Sequence, residues 1–360
     1  MTVPYRIGLV AGGTGGHVFP ALACARCFLQ RGAQVVFFTD GRAARYLDKD
    51  ATMPIRQVIA ARYTKVWLLP MMAVSFAVSC VQVGVLLLRY RVRHLVTFGG
   101  YVSLPFLLVG WLLRCRLIAH EQNAVLGRVN RWMLPYIDKL GLGFVPVRGV
   151  ASKHKKKTVH TGTPVRPSIV RGVKRQNTKR QSGALHILVL GGSQGASVFA
   201  EMVPQAIAQL TSPMREKVRL VQQCRAGQEE ELKARYGQLG VLAEVRAFFK
   251  DIDARLMWSD VVICRAGASM ISELLVVGRP AIFVPYPHAM NDHQRINAAA
   301  VVAEGFGWSI NEGEHAALAI RDILAGLSPA VVQAHKRAAK KLARTDADAR
   351  VVNLVMEAQS

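Results

Sequence analysis

The run Asp260-Val261-Val262-Ile263-Cys264-Arg265-Ala266-Gly267-Ala268-Ser269 sets the pattern on which the rest of the chain is built. Residues 261–264 are a short apolar run rich in β-branched side chains, which predicts a buried parallel strand. Gly267 lets the backbone turn sharply. Ser269 is a suitable N-cap for a helix over 270–277. Gly278 and Pro280 close that helix, and residues 281–285 read as the next strand. Strand, small-residue turn and helix N-terminus together make an anion site, because the first N–H groups and the positive end of the helix dipole converge on the turn. Glu273 lies one turn into the helix, and side chains lean toward the helix N-terminus. Its carboxylate can therefore reach a ligand at the turn, as ribose-binding acids do. The competing reading is a Glu that only complements the dipole.

Outward from this unit the same layout recurs. Residues 5–10 read as a strand, 11–17 (Ala-Gly-Gly-Thr-Gly-Gly-His) as a glycine turn, 20–29 as a helix and 34–39 as a second strand. Residues 186–190, then Gly191-Gly192-Ser193-Gln194-Gly195, then a helix, repeat it. Two distant openings of this kind predict two Rossmann-like halves with parallel sheets. The first is a poor dinucleotide fingerprint, since the third glycine of GxGxxG is missing. Asp40, about 20 residues on, keeps an NAD-linked enzyme as a rival.

Composition narrows the partners. The 360 residues suffice for about two domains. Half are hydrophobic and the net charge is +24, which demands an anionic partner or surface. No zinc-finger spacing, RNP pattern or basic helix with interleaved aromatics supports nucleic acid. Six cysteines lie mostly in apolar stretches, and Cys24-Ala25-Arg26-Cys27 is a lone CxxC within a predicted helix, so packing explains it. With no signal-peptide layout at the start, a reducing cytoplasm is expected.

Residues 66–88 carry no charged side chain and are long enough to span a bilayer. Pro70, Gln82 and two serines interrupt the run, and it sits between elements of a βαβ domain. The expectation is a helix buried on one side and pressed shallowly into an anionic membrane on the other. Trp67, Met71, Met72 and Phe76 would supply apolar contact, and Arg62, Lys65, Arg89, Arg91 and Arg93 the phospholipid contact. Residues 104–113 with Trp111 extend the patch.

Several motifs resemble one family. Cys264-Arg265-Ala266-Gly267-Ala268-Ser269, Ser272-Glu273, Gly278-Arg279-Pro280 and Gln294 resemble the donor-sugar signature of the bacterial peptidoglycan N-acetylglucosaminyltransferases. The segments at 12–17 and 191–195, Phe98-Gly99-Gly100-Tyr101-Val102-Ser103, His120-Glu121-Gln122-Asn123 and Thr161-Gly162-Thr163-Pro164-Val165-Arg166 match it too. The family usually has Thr at Met270, a second Gln at His293 and Asn at Thr163.

The resemblance implies a GT-B fold, two Rossmann-like domains facing across a cleft. Residues 1–162 would form the acceptor and membrane-facing domain, and 163–342 the UDP-sugar domain. A final helix, about 343–360, would return to the first domain. It implies inverting transfer of N-acetylglucosamine from UDP-N-acetylglucosamine to the MurNAc 4-hydroxyl of lipid I, giving lipid II. His17 is the candidate base, since imidazole takes a proton near neutral pH, and Glu121 the reserve. By the same resemblance Thr14, Gly15, Gly16, Tyr101 and Asn123 line the acceptor side. Phe249 would hold uracil through its backbone, Glu273 the ribose and Gln294 the sugar. Ser193, Ala268, Ser269, Met270, Ile271 and Ser272 surround the donor, and Arg166 meets the diphosphate. Asp251-Ile252-Asp253 looks like a DxD metal motif, but an acidic N-cap explains it. No tightly bound cofactor is expected, and a divalent metal would stimulate at most. The enzyme is expected at the cytoplasmic face of the inner membrane, peripheral, with cell-wall synthesis or division proteins as partners. The rival readings are another lipid-directed GT-B enzyme, the NAD-linked enzyme, and a non-catalytic nucleotide binder at the membrane.

Overall fold

The computed structural model describes residues 6–43, 46–47, 52–59, 69–175, 183–192 and 197–356. Ser193 and Trp67 lie outside the described residues. Contacts divide the chain into two units, residues 1–166 with 344–360, and 167–343.

The first unit opens with β1 (Arg6–Val10), α1 (Gly15–Gln30), β2 (Gln34–Thr39), β3 (Ile55–Gln57) and α2 (Leu69–Arg89). It continues through β4 (His94–Thr97), α3 (Ser103–Leu112), β5 (Arg116–Glu121), α4 (Arg128–Met133), β6 (Lys139–Leu142) and β7 (Thr158–His160). The strands form one parallel sheet, ordered β3-β2-β1-β4-β5-β6-β7. Their near-continuous apolar runs fit strands covered by helices on both faces. The order reverses between β1 and β4, and the loops leaving the C-terminal ends of those two strands define a crevice where ligands bind such sheets.

The second unit holds α5 (Pro167–Arg175), β8 (Leu185–Leu190), α6 (Ser197–Ala208), α7 (Ser212–Arg215), β9 (Val218–Gln223), α8 (Glu229–Gln238), β10 (Leu242–Arg246) and α9 (Ile252–Trp258). It continues with β11 (Val261–Cys264), α10 (Ala268–Val277), β12 (Ala281–Phe283), α11 (His293–Val302), β13 (Trp308–Ser309), α12 (Ala316–Ala325) and α13 (Pro329–Leu342). Its parallel sheet runs β10-β9-β8-β11-β12-β13, with the reversal between β8 and β11. Ser328 caps α13, its hydroxyl accepting from the Val331 N–H at 3.3 Å. The last helix, α14 (Ala347–Met356), packs in the first unit. Val351, Val352 and Val355 are buried among residues of α1 and β1, and Arg31 bonds Asn353 at 2.6 Å.

Three local expectations change. Helix α1 starts at Gly15 rather than Pro20, with Thr14 extended as its N-cap. Packing of α1 on its sheet extends the helix back over two poor helix formers, so His17 sits in the first helical turn rather than in a loop. Helix α10 starts at Ala268, and its N-cap is Gly267, not Ser269. Asp251 does occupy the N-cap position of α9, but its carboxylate makes no cap; it pairs with Arg255 one turn on, at 2.9 Å. A guanidinium within reach outcompetes a backbone N–H for a carboxylate.

Helix α2 carries its expected two faces, with different residues on each. Ser79, Val83 and Leu87 are buried, while Met71, Val74, Val78, Val81, Val85 and Leu88 are exposed. Phe76 and Met72, expected on the outer face, are half-buried. The outer apolar row recurs every three or four residues, one stripe of the helix. Helix α2 is long and apolar enough to cross a membrane by composition, with mean hydropathy 2.2 over Met71–Arg89 and 17% of that window buried. Its inner face is nevertheless tied to the domain. Ser79 donates to the Ile59 carbonyl at 2.8 Å, and the Gln82 side-chain carbonyl accepts from the Ile59 N–H at 3.0 Å.

Candidate active site

In the first unit, the loops after β1 and β4 meet at the reversal of strand order. The Asp40 carboxylate at the end of β2 accepts from the Gly13 and Ala43 N–H groups, each at 3.1 Å, and from Arg42 at 2.6 Å. Burial pushes its carboxyl up. The Gly13 N–H, the Arg42 guanidinium and the Ala43 N–H outweigh that and hold it below the usual carboxylate range. Asp40 thus props the glycine turn and is already committed, which removes the ribose role that sequence spacing offered it. Gly13 has φ +82°, which favours glycine at this turn.

His17 projects from the first turn of α1 beside Gly99 and Gly100. Both glycines have positive φ, and a Cβ on Gly99 would stand 3.4 Å from His17 Cε1. Ser103 donates to the Gly99 carbonyl at 2.8 Å, fixing the turn that ends at α3. Tyr101 lies in this same turn, ahead of α3. Thr14 is exposed at the mouth of the first turn, while Gly15 is buried where a Cβ would meet the Phe19 ring at 2.8 Å. Gly16 stands between Gly15 and His17 in the first helical turn.

Glu121 ends β5 and is buried. Its Oε1 accepts from the backbone and side-chain amides of Asn123, at 3.1 and 3.2 Å. Its Oε2 accepts from the Gly127 N–H and from Asn130 Nδ2, each at 2.8 Å. These four hydrogen bonds tie the loop presenting Asn123 to the end of β5. The Arg166 guanidinium lies over the Phe19 ring, 5.3 Å from its centroid.

In the second unit, the turn after β11 enters α10. Ala268, Ser269 and Met270 form its first turn, at the positive end of the helix dipole. The Ile271 N–H closes the first helical bond to Gly267 at 3.0 Å, and Ser272 donates back to the Ala268 carbonyl at 3.0 Å. Glu273 is buried at 4% exposure, one turn in from the helix start. Phe249 is buried under the Arg255 guanidinium, 4.9 Å from the ring centroid. Arg255 also pairs with Glu244, at 2.9 Å between Nη2 and Oε1. With Asp251 held on the same cation, the first acid of Asp251-Ile252-Asp253 belongs to an ion-pair network. Gln294 accepts from the Tyr286 N–H at 3.0 Å, tying the loop after β12 to α11.

Asn297, Glu312 and the partners of Arg265 escaped the sequence reading. Arg265 donates to the Val284 carbonyl at 3.1 Å, pairs with Glu312, and lies 5.3 Å from the Phe199 and Tyr286 ring centroids. One cation thus ties the strand ends around the turn. Asn297, fully buried in α11, donates to the Ala266 carbonyl at 3.2 Å and fixes the turn from behind. Glu312 and Asn297 lie 47 and 31 residues from their partners, and no local spacing signals them.

Two parallel sheets, each with a small-residue turn at its reversal of strand order, make two Rossmann-like domains, and family matches over both make the chain a glycosyltransferase of GT-B type. The glycosyltransferase family 28 N-terminal domain matches residues 7–142, and the C-terminal domain of that family matches residues 186–351. A Rhodospirillum centenum protein named UDP-N-acetylglucosamine–N-acetylmuramyl-(pentapeptide) pyrophosphoryl-undecaprenol N-acetylglucosamine transferase is 39% identical, over 98% of this chain and 94% of its own length. A Sphingopyxis alaskensis protein of the same name is 38% identical over 87% and 81%. The crystal structure of Acinetobacter baumannii MurG superposes with a TM-score of 0.80 at 27% identity, covering 98% of this chain and all of that one. The glycosyltransferase of kitacinnamycin shares the fold, with a TM-score of 0.71 at 18% identity, covering 99% of each chain. The chain belongs to the MurG family of family 28 glycosyltransferases.

Proposed function

We propose that this enzyme transfers N-acetylglucosamine from UDP-N-acetylglucosamine to the MurNAc 4-hydroxyl of lipid I, with inversion, yielding lipid II. The observation that carries the reading is a relative of that activity matching at 39% identity along 98% of the chain, with the donor motif at an α10 N-terminus. In this reading Glu273 holds the ribose, the Phe249 backbone holds uracil and Gln294 contacts the sugar. The first turn of α10 supports the diphosphate through oriented N–H groups and the helix dipole. Arg166 adds a cation for that charge, and no resident metal is assigned to the departing diphosphate. His17 takes the proton of the attacking hydroxyl, with Tyr101 and Asn123 holding the acceptor.

The acceptor's lipid tail stays in the bilayer, so the first unit works at the cytoplasmic membrane surface as a peripheral enzyme. The exposed stripe of α2, with Trp111 at 46% exposure and Arg89, Arg91 and Arg114 nearby in sequence, supports that reading. Apolar contact and basic side chains act together at an anionic surface. Radiolabel transfer from UDP-N-acetylglucosamine to a short-chain lipid I analogue tests the activity. Absence of transfer alongside tight UDP binding would favour a different acceptor.

A further inference from the structure

Three polar groups behind His17 form one directed chain with it. His17 Nδ1 lies 3.1 Å from Gln122 Oε1, Gln122 Nε2 lies 3.2 Å from His120 Nδ1, and His120 Nε2 lies 2.9 Å from the Gly162 carbonyl. A carbonyl oxygen only accepts, so His120 Nε2 carries a hydrogen. His120 is fully buried and neutral, since burial drives its pKa down to about 4. Its Nδ1 is therefore an acceptor. The group facing that acceptor must be the NH₂ of Gln122, which fixes an amide orientation that is otherwise ambiguous. The Gln122 carbonyl then faces His17, and the His17 nitrogen that meets it must donate.

We infer that Gln122 and His120 are positioning residues that hold His17 in its Nδ1–H tautomer, so that the basic lone pair sits on Nε2. The Gly162 carbonyl sets the polarity of the whole chain. Gln122 and His120 are two residues apart where β5 runs out, and both are buried. The Thr161 hydroxyl, 3.1 Å from His120 Nε2 and 2.9 Å from the Gly162 carbonyl, lies beside the last link. A glutamine in this place orients the ring without adding charge, unlike the carboxylate that orients the histidine of a serine-protease triad.

The assignment rests on the reading of His17 as base for its catalytic meaning, but its test does not need turnover. Nitrogen-15 NMR of histidine-labelled enzyme, with the His17 signals identified by their loss in H17A, reads the tautomer directly. The expected result is a protonated Nδ1 and an unprotonated Nε2 at pH 7.5 in the wild-type protein. A His17 that is mainly the Nε2–H tautomer would overturn the inference. In Gln122→Leu the preference should collapse toward a mixture, with kcat falling at least about tenfold while the donor KM holds within about twofold. An unchanged tautomer in a folded Gln122→Leu protein would also overturn it. If the tautomer behaves as expected while H17A retains full turnover, the positioning chain stands and the role of His17 as base fails.

Discussion

At the scale of single residues, the site separates donor affinity from proton transfer. Glu273 is a buried carboxylate at the start of α10, and a hydrogen bond to a charged group contributes about 1.5–3 kcal/mol. Glu273→Ala should raise the donor KM roughly tenfold or more and weaken UDP binding by a similar factor in calorimetry. Unchanged UDP affinity would take Glu273 out of the donor site. His17→Ala should do the reverse. Turnover should fall by on the order of 10²–10⁴, with UDP affinity nearly intact, because His17 belongs to the first unit while the donor motif belongs to the second. A collapse of UDP affinity would make His17 a donor contact. Glu121→Gln should perturb the acceptor loop through its four donors, raising the acceptor KM while the donor KM stays put. A selective loss of turnover with both constants unchanged would make Glu121 a base.

At the scale of elements, α2 carries the most specific prediction. Its outer stripe is Val74, Val78, Val81 and Val85, which keep apolar area in water in the soluble form. Burying a valine in the interface contributes about 1.5–3 kcal/mol at full burial, and each basic side chain near an anionic surface about 1 kcal/mol. Val74→Ser with Val81→Ser should weaken binding to phosphatidylglycerol vesicles at least about tenfold, while UDP affinity remains normal. Raised salt should release part of the wild-type protein, since screening acts on the basic contribution alone. Retention after alkaline carbonate extraction would instead show that α2 spans the bilayer. The hydrogen bonds of Ser79 and Gln82 to the 57–59 segment would then have to break.

At the scale of the whole molecule, buried histidines tie stability to pH. His120 is depressed to about 4 by burial. His94 and His160 in the first unit and His335 in the second are also lowered, burial being the first cause in each. The unfolded chain takes up these protons near pH 6.5, whereas the folded chain resists them. Stability from this source is complete above about pH 6.5 and declines as pH falls toward 4. His120 alone contributes roughly 3 kcal/mol to that decline. Urea unfolding followed from pH 7 to pH 4 should show the midpoint falling steadily across that window. A constant midpoint would mean that His120 titrates normally in the fold.

Much was legible in the chain itself because its signals are local. The strand at Val261–Cys264 lies where its apolar run and β-branching put it, and Ala347–Met356 falls within the final helix expected at about 343–360. The first glycine turn announces itself by composition, and the donor motif by its order of residues. The start of α1 was misplaced because Gly15 and Gly16 read as turn residues, whereas the packing of α1 on its sheet extends the helix back to them. Which face of α2 is buried also depended on packing. Phe76 is the larger hydrophobe, but the hydrogen bonds of Ser79 and Gln82 set the helix rotation and leave the valines outside. The commitments of the polar groups required the folded chain most of all. Asp40, Glu121 and Asp251 are equally plausible acids in one dimension. Only the fold shows that they bond Gly13, Gly127 and Arg255. The chain from Gly162 through His120 and Gln122 to His17 joins residues more than a hundred positions apart. A local pattern specifies which atoms are present, and hydrogen-bond direction exists only once the fold has brought the donors to their acceptors.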